Sequence, residues 1–361
     1  MWIKRRKSRV IKVGNVPIGG DNPIVVQSMT NTFTEDLKST VAQVKELERV
    51  GCEIVRVAVP SVEAAENIPL IKKEITIPLI ADIHFDYKLA ILSIEKGADG
   101  IRINPGNIGG MDKVREVIKA ANERSIPIRI GVNTGSLPKE ILNKYGRPCD
   151  EALAETALSY MKFFEDEGFI NMKFSLKGSD IKTTVLANKL FASSCDYPIH
   201  IGITEAGTIL SGAVKSAAGI GILLYEGIGD TVRVSLSAHP KIEVKVAFKI
   251  LSSLGLRNYG VDVISCPTCG RCQIDLPKIA LEVEEALEHI KVPVSVAVMG
   301  CAVNGPGEAS FADVGIAAAG DKFIFFVNGK VVGKFDEKEA IERLVKEVER
   351  IANEKENESV S

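Results

Sequence analysis

The stretch Pro78 to Asn104, PLIADIHFDYKLAILSIEKGADGIRIN, decides how the chain folds. It opens on an apolar run, Pro78 to Ile83, crosses a longer segment of helical periodicity, and returns to an apolar run at Gly100 to Asn104. Runs nearly continuous in aliphatic residues suit strands buried on both faces, as in parallel sheets covered by helices. The unit repeats on either side. Further β-branched runs lie at Ile24 to Met29, Glu53 to Val59, Ile128 to Asn133, Asn171 to Lys177, Ile199 to Thr204 and Thr231 to Leu236, with helices between them such as 38 to 50 and 151 to 167. Eight such runs predict an α/β fold closed into a (β/α)8 barrel. An open doubly wound sheet is the alternative, but no G-x-G-x-x-G follows the first run, so its dinucleotide-binding version loses support.

In such barrels function gathers where strands end and βα-loops begin. Here those ends are polar. In chain order they carry Gln27 and Ser28, Arg56, Asp82 and His84, Arg102 and Asn104, Asn133 after Arg129, Ser175 and Lys177, Thr204 and Glu205, then Arg233, Ser235 and Ser237. An unpaired buried charge is costly, so any one arginine could be an ion-paired structural residue. Four arginines and a lysine at five strand ends instead describe a cationic pocket suited to phosphate oxygens.

Composition sets the frame. The 361 residues are 45% hydrophobic, 25% charged and 6% aromatic, which fits an ordered globular chain of one large and one smaller domain. Net charge is -2, so no global field draws the chain to nucleic acid, and the basic cluster Lys4 to Lys7 reads as a solvated edge. The apolar runs near 219 to 225 and 292 to 303 are too short and interrupted to span a bilayer. With no hydrophobic signal core in MWIKRRKSRV, a cytoplasmic location is expected.

After about residue 240 the repeat stops, which places a boundary between domains 1–240 and 241–361. The second reads as a compact α+β unit, with strands at Val261 to Ser265 and Val294 to Val298, a hairpin turning at Asn328-Gly329, and helices at Leu276 to His289 and Glu337 to Asn353. The final EKENESVS is polar and expected to fray.

This domain holds S-C-P-T-C-G-R-C, with thiols at Cys266, Cys269 and Cys272, and M-G-C-A-V-N-G-P-G-E, with Cys301 and Glu308. The other three cysteines, Cys52, Cys149 and Cys195, are isolated and read as small core residues. A C-x2-C pair also opens zinc ribbons, but those close with a second pair or with histidines, and here one cysteine closes the set. An iron-sulfur cluster takes ligands from scattered loops. Its fourth ligand stays open on spacing alone. Cys272 would give an all-thiolate, ferredoxin-like site, whereas Glu308 would give a harder, more exchangeable corner.

Motifs across nearly the whole chain resemble the two-domain bacterial form of the 4-hydroxy-3-methylbut-2-enyl diphosphate synthase family. They are V-G-N-V-P-I-G-G at 13 to 20, V-V-Q-S-M-T-N-T at 25 to 32, A-D-I-H-F-D at 81 to 86, R-I-N-P-G-N-I-G at 102 to 109, R-I-G-V-N-T-G-S-L at 129 to 137, H-I-G-I-T-E-A-G at 200 to 207, G-I-G-D-T-V-R-V-S-L at 227 to 236, and the two cysteine segments. The resemblance implies a TIM barrel followed by a domain like the cluster-binding halves of nitrite and sulfite reductases. It implies one 4Fe-4S cluster on Cys266, Cys269, Cys301 and Glu308, with Cys272 outside the ligand set. The implied substrate is 2-C-methyl-D-erythritol 2,4-cyclodiphosphate, its diphosphate held by Arg56, Arg102, Arg129, Asn133, Lys177 and Ser235, with Glu205 as the acid near the reacting carbon. Flavodoxin or ferredoxin is the implied electron donor. The resemblance also implies a homodimer in which the barrel of one subunit faces the cluster domain of the other. Two other readings compete: an iron-sulfur electron carrier with the barrel as a docking module, and a pterin-binding type of barrel enzyme with a structural metal knob.

Overall fold

A computed structural model describes residues 2–178, 180–204, 207–303 and 308–360, without the side chains of 308, 359 and 360. The chain divides into two compact units, Met1–Arg257 and Asn258–Ser361.

The first unit opens with two short strands, β1 (Ile11–Val13) and β2 (Val16–Ile18), paired antiparallel about a turn in which Gly14 takes a left-handed φ of +56°. The repeat read from the sequence follows. Its strands are β3 (Val25–Met29), β4 (Ile54–Ala58), β5 (Leu79–Asp82), β6 (Gly100–Ile103), β7 (Ile128–Asn133), β8 (Met172–Lys177), β9 (His200–Ile201) and β10 (Thr231–Val232). Between and after them run α1 (Leu37–Arg49), α2 (Val62–Glu74), α3 (Tyr87–Glu95), α4 (Met111–Glu123), α5 (Lys139–Tyr145), α6 (Asp150–Asp166), α7 (Ile181–Ser194), α8 (Ile209–Tyr225) and α9 (Pro240–Ser253). Local chemistry starts several of these helices: the side chains of Asp36, Ser61, Asp86 and Asp180 accept backbone N–H groups at the first turns of α1, α2, α3 and α7.

Among the described residues the eight strands pair in parallel in the order β8-β7-β6-β5-β4-β3-β10-β9. A parallel bridge from Phe174 to Ile199 joins β8 to the residue preceding β9, so the ring closes and the open-sheet alternative falls. The hairpin, which the sequence reading did not anticipate, seals the strands' N-terminal end. Ile11, Val13 and Ile18 pack there with Val25, Ile54 and Ile80. This apolar cluster plugs the N-terminal end of the barrel.

The boundary falls at 257/258 rather than at 240/241. Helix α9 is part of the barrel: it packs on β3, buries Val244, Ala247, Phe248 and Leu251, and places Glu243 under the strand ends. The three isolated cysteines also differ from one another. Cys52 is a core residue, Cys149 caps α6 by accepting from Ala152 N, and Cys195 is half-buried at the end of α7.

The second unit contains β11 (Val261–Ser265), α10 (Leu276–Ala286), β12 (Val294–Met299), β13 (Val314–Ala319), β14 (Lys322–Val327), β15 (Lys330–Phe335) and α11 (Glu337–Val360). Its sheet runs β11-β12-β13-β14-β15, parallel across the first three strands and antiparallel across the rest. Leu276, Ile279 and Val283 of α10 and Ala340, Leu344 and Val348 of α11 cover one face. The tail expected to fray continues α11 to Val360, and Lys355 ties the helix to Pro293 O and Asp313.

Candidate active site

Because side chains alternate along a strand, Arg56, Asp82, Arg102, Arg129, Lys173 and Lys177 occupy the inward positions of consecutive strands, and all six are buried. Register aligns them further: Arg102 stands opposite Arg129, Arg129 opposite Lys173, and Asn133 opposite Lys177. Asp82 lies at the centre. Its carboxylate is 3.4 Å from Arg56 Nε, 3.2 Å from Arg102 Nη1 and 3.4 Å from His84 Nε2. Burial alone would raise that carboxyl, but Arg56, the hydrogen bond with His84, Arg102 and Arg129 together hold it well below the carboxylate range.

Arg233 joins from β10's end, with its Nε 3.6 Å from Glu243 of α9. Glu243 also accepts from Ser28 Oγ at 3.2 Å and from Leu236 N at 2.9 Å, which fixes the strand end. Met29 fills the space between two guanidiniums: Arg56 reaches its sulfur at 2.9 Å and Arg233 at 3.7 Å. Asn133 and Ser235 are half-buried at this same end of the barrel.

Positive charge outnumbers negative here. Arg56 is pushed down to about 9 by burial, with Arg233 and Arg102 adding to the effect against Asp82. Burial lowers Arg129 and Lys177 well below their ordinary values, and neighbouring cations lower them further. Several buried polar atoms have no hydrogen-bond partner: Gln27 Nε2 and Oε1, Arg102 Nε, Arg129 Nε and Nη1, Lys173 Nζ and His200 Nε2. Unpaired guanidinium and ammonium donors under mutual repulsion are what a polyanionic ligand relieves.

Two glycines keep this space open. A Cβ on Gly131 would sit 3.0 Å from Arg102 Nε, and one on Gly202 would meet the Arg233 carbonyl oxygen at 2.4 Å and Lys177 Nζ at 3.2 Å.

Of the residues expected to hold a diphosphate, the structure gathers Arg56, Arg102, Arg129 and Lys177 into one electrostatic group, with Asn133 beside Lys177 in register. Glu205 lies outside the described residues. The sequence reading missed Lys173, His200 and Glu243. The first was readable, since Lys173, Ser175 and Lys177 share one face of β8 by alternation.

In the second unit, Cys266 follows β11 and Cys301 lies just past β12, its parallel neighbour. The Gly300 N–H donates to Cys266 Sγ at 3.4 Å. The C-x2-C turn folds back on the same loop: Cys272 N donates to Cys269 O at 2.9 Å and Gln273 N to Gly300 O at 3.1 Å. Cys269 is exposed on this turn and Cys301 is buried. Cys272 packs against the apolar core and donates its thiol to Ile274 O at 3.3 Å. The Glu308 side chain lies outside the described residues, and among the described residues no three His, Cys, Asp or Glu side chains stand together as a metal-binding group. The donor types still fit an iron-sulfur cluster: thiols at neighbouring strand ends and on a turn hydrogen-bonded to the same loop. The second unit's sequence has one histidine, His289, which lies 3.4 Å from Glu349, so the unit lacks the two histidines of a Cys2His2 zinc set.

Among the described residues no helix is long and apolar enough to cross a membrane. Residues 8–248 match the model of the GcpE TIM-barrel domain, and residues 262–350 match that of the GcpE protein C-terminal domain. Curated relatives named 4-hydroxy-3-methylbut-2-en-1-yl diphosphate synthase (flavodoxin) include one from Caldanaerobacter subterraneus, 58% identical over 98% of this chain and 99% of its own. Another, from Thermodesulfovibrio yellowstonii, is 55% identical over 96% of this chain and 100% of its own. Among solved structures, a dihydropteroate synthase from Stenotrophomonas maltophilia matches with a TM-score of 0.50 at 14% identity, covering 69% of this chain and 98% of its own, a likeness of fold alone. The resemblance carried by the motifs is borne out over both units, and the chain belongs to the GcpE family.

Proposed function

We propose that the chain is an iron-sulfur oxidoreductase that opens 2-C-methyl-D-erythritol 2,4-cyclodiphosphate reductively and dehydrates it to 4-hydroxy-3-methylbut-2-enyl diphosphate. The observation that carries this reading is the barrel pocket, a cluster of buried cations with partnerless donors. Arg56, Arg102, Arg129, Asn133, Lys177 and Ser235 hold the diphosphate, and its oxygens satisfy Arg102 Nε and Arg129 Nε and Nη1. As the bond from C2 to the phosphate oxygen breaks, negative charge grows on that oxygen among fixed donors in a buried site, where each is worth most. Asp82 keeps Arg56 and Arg102 aimed, so little reorganisation is needed at that moment. Glu205, which follows β9 in sequence, supplies a proton to the hydroxyl that leaves as water.

Cys266, Cys269, Cys301 and Glu308 would hold one 4Fe-4S cluster, which supplies the two electrons one at a time. The thiol of Cys272, already spent on Ile274 O, supports leaving it out of that set. The relatives' names point to reduced flavodoxin as the donor, with ferredoxin an equivalent one-electron source. The working form in this reading is a cytoplasmic homodimer, each barrel served by the cluster domain of the other subunit.

The test is anaerobic turnover of the iron- and sulfide-reconstituted protein with reduced flavodoxin and the cyclic diphosphate, following the open-chain diphosphate. Arg129→Met is expected to lower kcat/KM by roughly a hundredfold, the scale of losing an electrostatic donor in a buried site. A wild-type protein that holds its cluster yet forms no product would overturn the reading in favour of an electron carrier.

A further inference from the structure

Lys173 is the buried cation that the proposed function leaves unused. It sits on β8 directly opposite Arg129 in register, its side chain is buried, and its Nζ has no hydrogen-bond partner. His200 of β9, whose Nε2 is in the same condition, feels the charge of Lys173. His200 is held in place by its other nitrogen, 2.7 Å from Thr231 Oγ1. The charged groups that act on Lys173 are Arg129 of β7, Asp230 just before β10, and Arg56 of β4. Asp230 is already engaged: it accepts from Ser8 Oγ at 2.7 Å, from Ile199 N at 2.8 Å and from Arg5 Nη2 at 3.3 Å. The lysine therefore stands beside a diphosphate-binding arginine with no counter-ion of its own.

We propose that Lys173 is a further anion-binding residue of this pocket, one that takes up a proton from solvent as the diphosphate enters. The inference rests on the pocket reading given above and extends it to the strand next to Arg129. Lys173 starts from the same strand level as Arg129 on the adjacent strand, and the charge of Arg129 acts on it, so an anion that neutralises Arg129 also favours the charged form of Lys173. Sign follows from the surroundings. In the free protein, burial, with Arg129 adding to it, pushes the amine down to about 7, so most molecules carry it neutral at pH 8. A dianion alongside favours the charged form. The bound state then holds more protons than the free state at pH 8, and affinity falls as pH rises above 7, by at most about tenfold per pH unit.

Two probes separate the inference from the reading beneath it. Sulfate, whose charge is constant across this range, is titrated calorimetrically into the full chain at pH 8 in two buffers of different ionisation enthalpy, which gives the proton count. Inorganic diphosphate gives the affinity. Lys173→Met is expected to take up about one proton fewer than the wild type and to bind diphosphate roughly tenfold more weakly, the scale of a lost hydrogen bond to a charged group. Lys173→Arg, whose guanidinium holds its proton more tightly than the amine, is expected to bind with fewer protons taken up than the wild type, and it decides the matter if the methionine variant does not fold. A proton count in either variant equal to that of the wild type overturns the proposal while leaving the pocket intact. A wild type that binds neither anion overturns the pocket itself.

Discussion

Asp82 shows how one residue organises a cationic site. Its carboxylate is buried, yet three basic groups surround it, and it remains the negative centre about which Arg56 and Arg102 are oriented. Replacing it with asparagine keeps the shape and removes the charge. Buried pairs broken on one side cost about 3–5 kcal/mol, because the surviving charges lose their compensation. Asp82→Asn is therefore expected to lower stability by about that amount in a denaturant titration at pH 7, and added sulfate to restore more stability to the variant than to the wild type. Because the wild-type carboxyl is held below its ordinary range, its contribution is present in full at neutral pH and is lost progressively as acidification carries the solution from the ordinary carboxylate range down through that lowered value. Equal sulfate effects on the two proteins would mean that the arginines do not depend on Asp82 for their balance.

Elements differ in how plainly the sequence announces them. The barrel strands were legible because nearly continuous β-branched runs recur between segments of helical period along the first 236 residues. The β1–β2 hairpin was not, since two strands of three residues carry too little alternation to stand out from a loop. At the site, the arginines were found because arginine is conspicuous in an apolar strand, whereas Lys173, level with Arg129, and His200 were passed over because apolar filling is the usual expectation inside a barrel. The ligand role of Glu308 came from resemblance, since spacing alone left Cys272 equally open. The unforeseen hairpin makes its own prediction. Ile18 is fully buried against Val25, Ile54 and Ile80 in the closed end of the barrel. Ile18→Ala is expected to cost about 2–5 kcal/mol, the range for deleting a packed aliphatic side chain. Its affinity for inorganic diphosphate should match that of the wild type, because the plug and the cationic mouth lie at opposite ends of the strands. A large loss of affinity at unchanged stability would contradict that division of labour.

At the scale of the whole molecule, the break in pattern near residue 240 misplaced the boundary because amphipathic periodicity reports that a helix has a buried face without saying which core receives it. The structure assigns α9 to the barrel on several grounds at once. Its buried face includes Pro240, Val244, Ala247, Phe248, Ile250 and Leu251, and Glu243 on the same face accepts from Ser28 and pairs with Arg233. The residues after it are fastened too. Trp2 Nε1 donates to Leu254 O at 3.1 Å, while Arg257 donates to Ile24 O at 2.8 Å and to Glu53 at 2.6 Å. Full burial of an aliphatic or aromatic side chain stabilises by about 1.5–3 kcal/mol, so removing this face forfeits an amount comparable to the roughly 5–15 kcal/mol that holds a domain folded. A fragment ending at Arg257 is therefore expected to melt in one cooperative transition and to bind inorganic diphosphate, whereas a fragment ending at Pro240 is expected to show neither, with circular dichroism melting and calorimetry as the two measurements. If the shorter fragment melts cooperatively at the temperature of the longer one, α9 contributes little to the barrel, and the placement of Glu243 beneath Arg233 is not what holds that strand end in position.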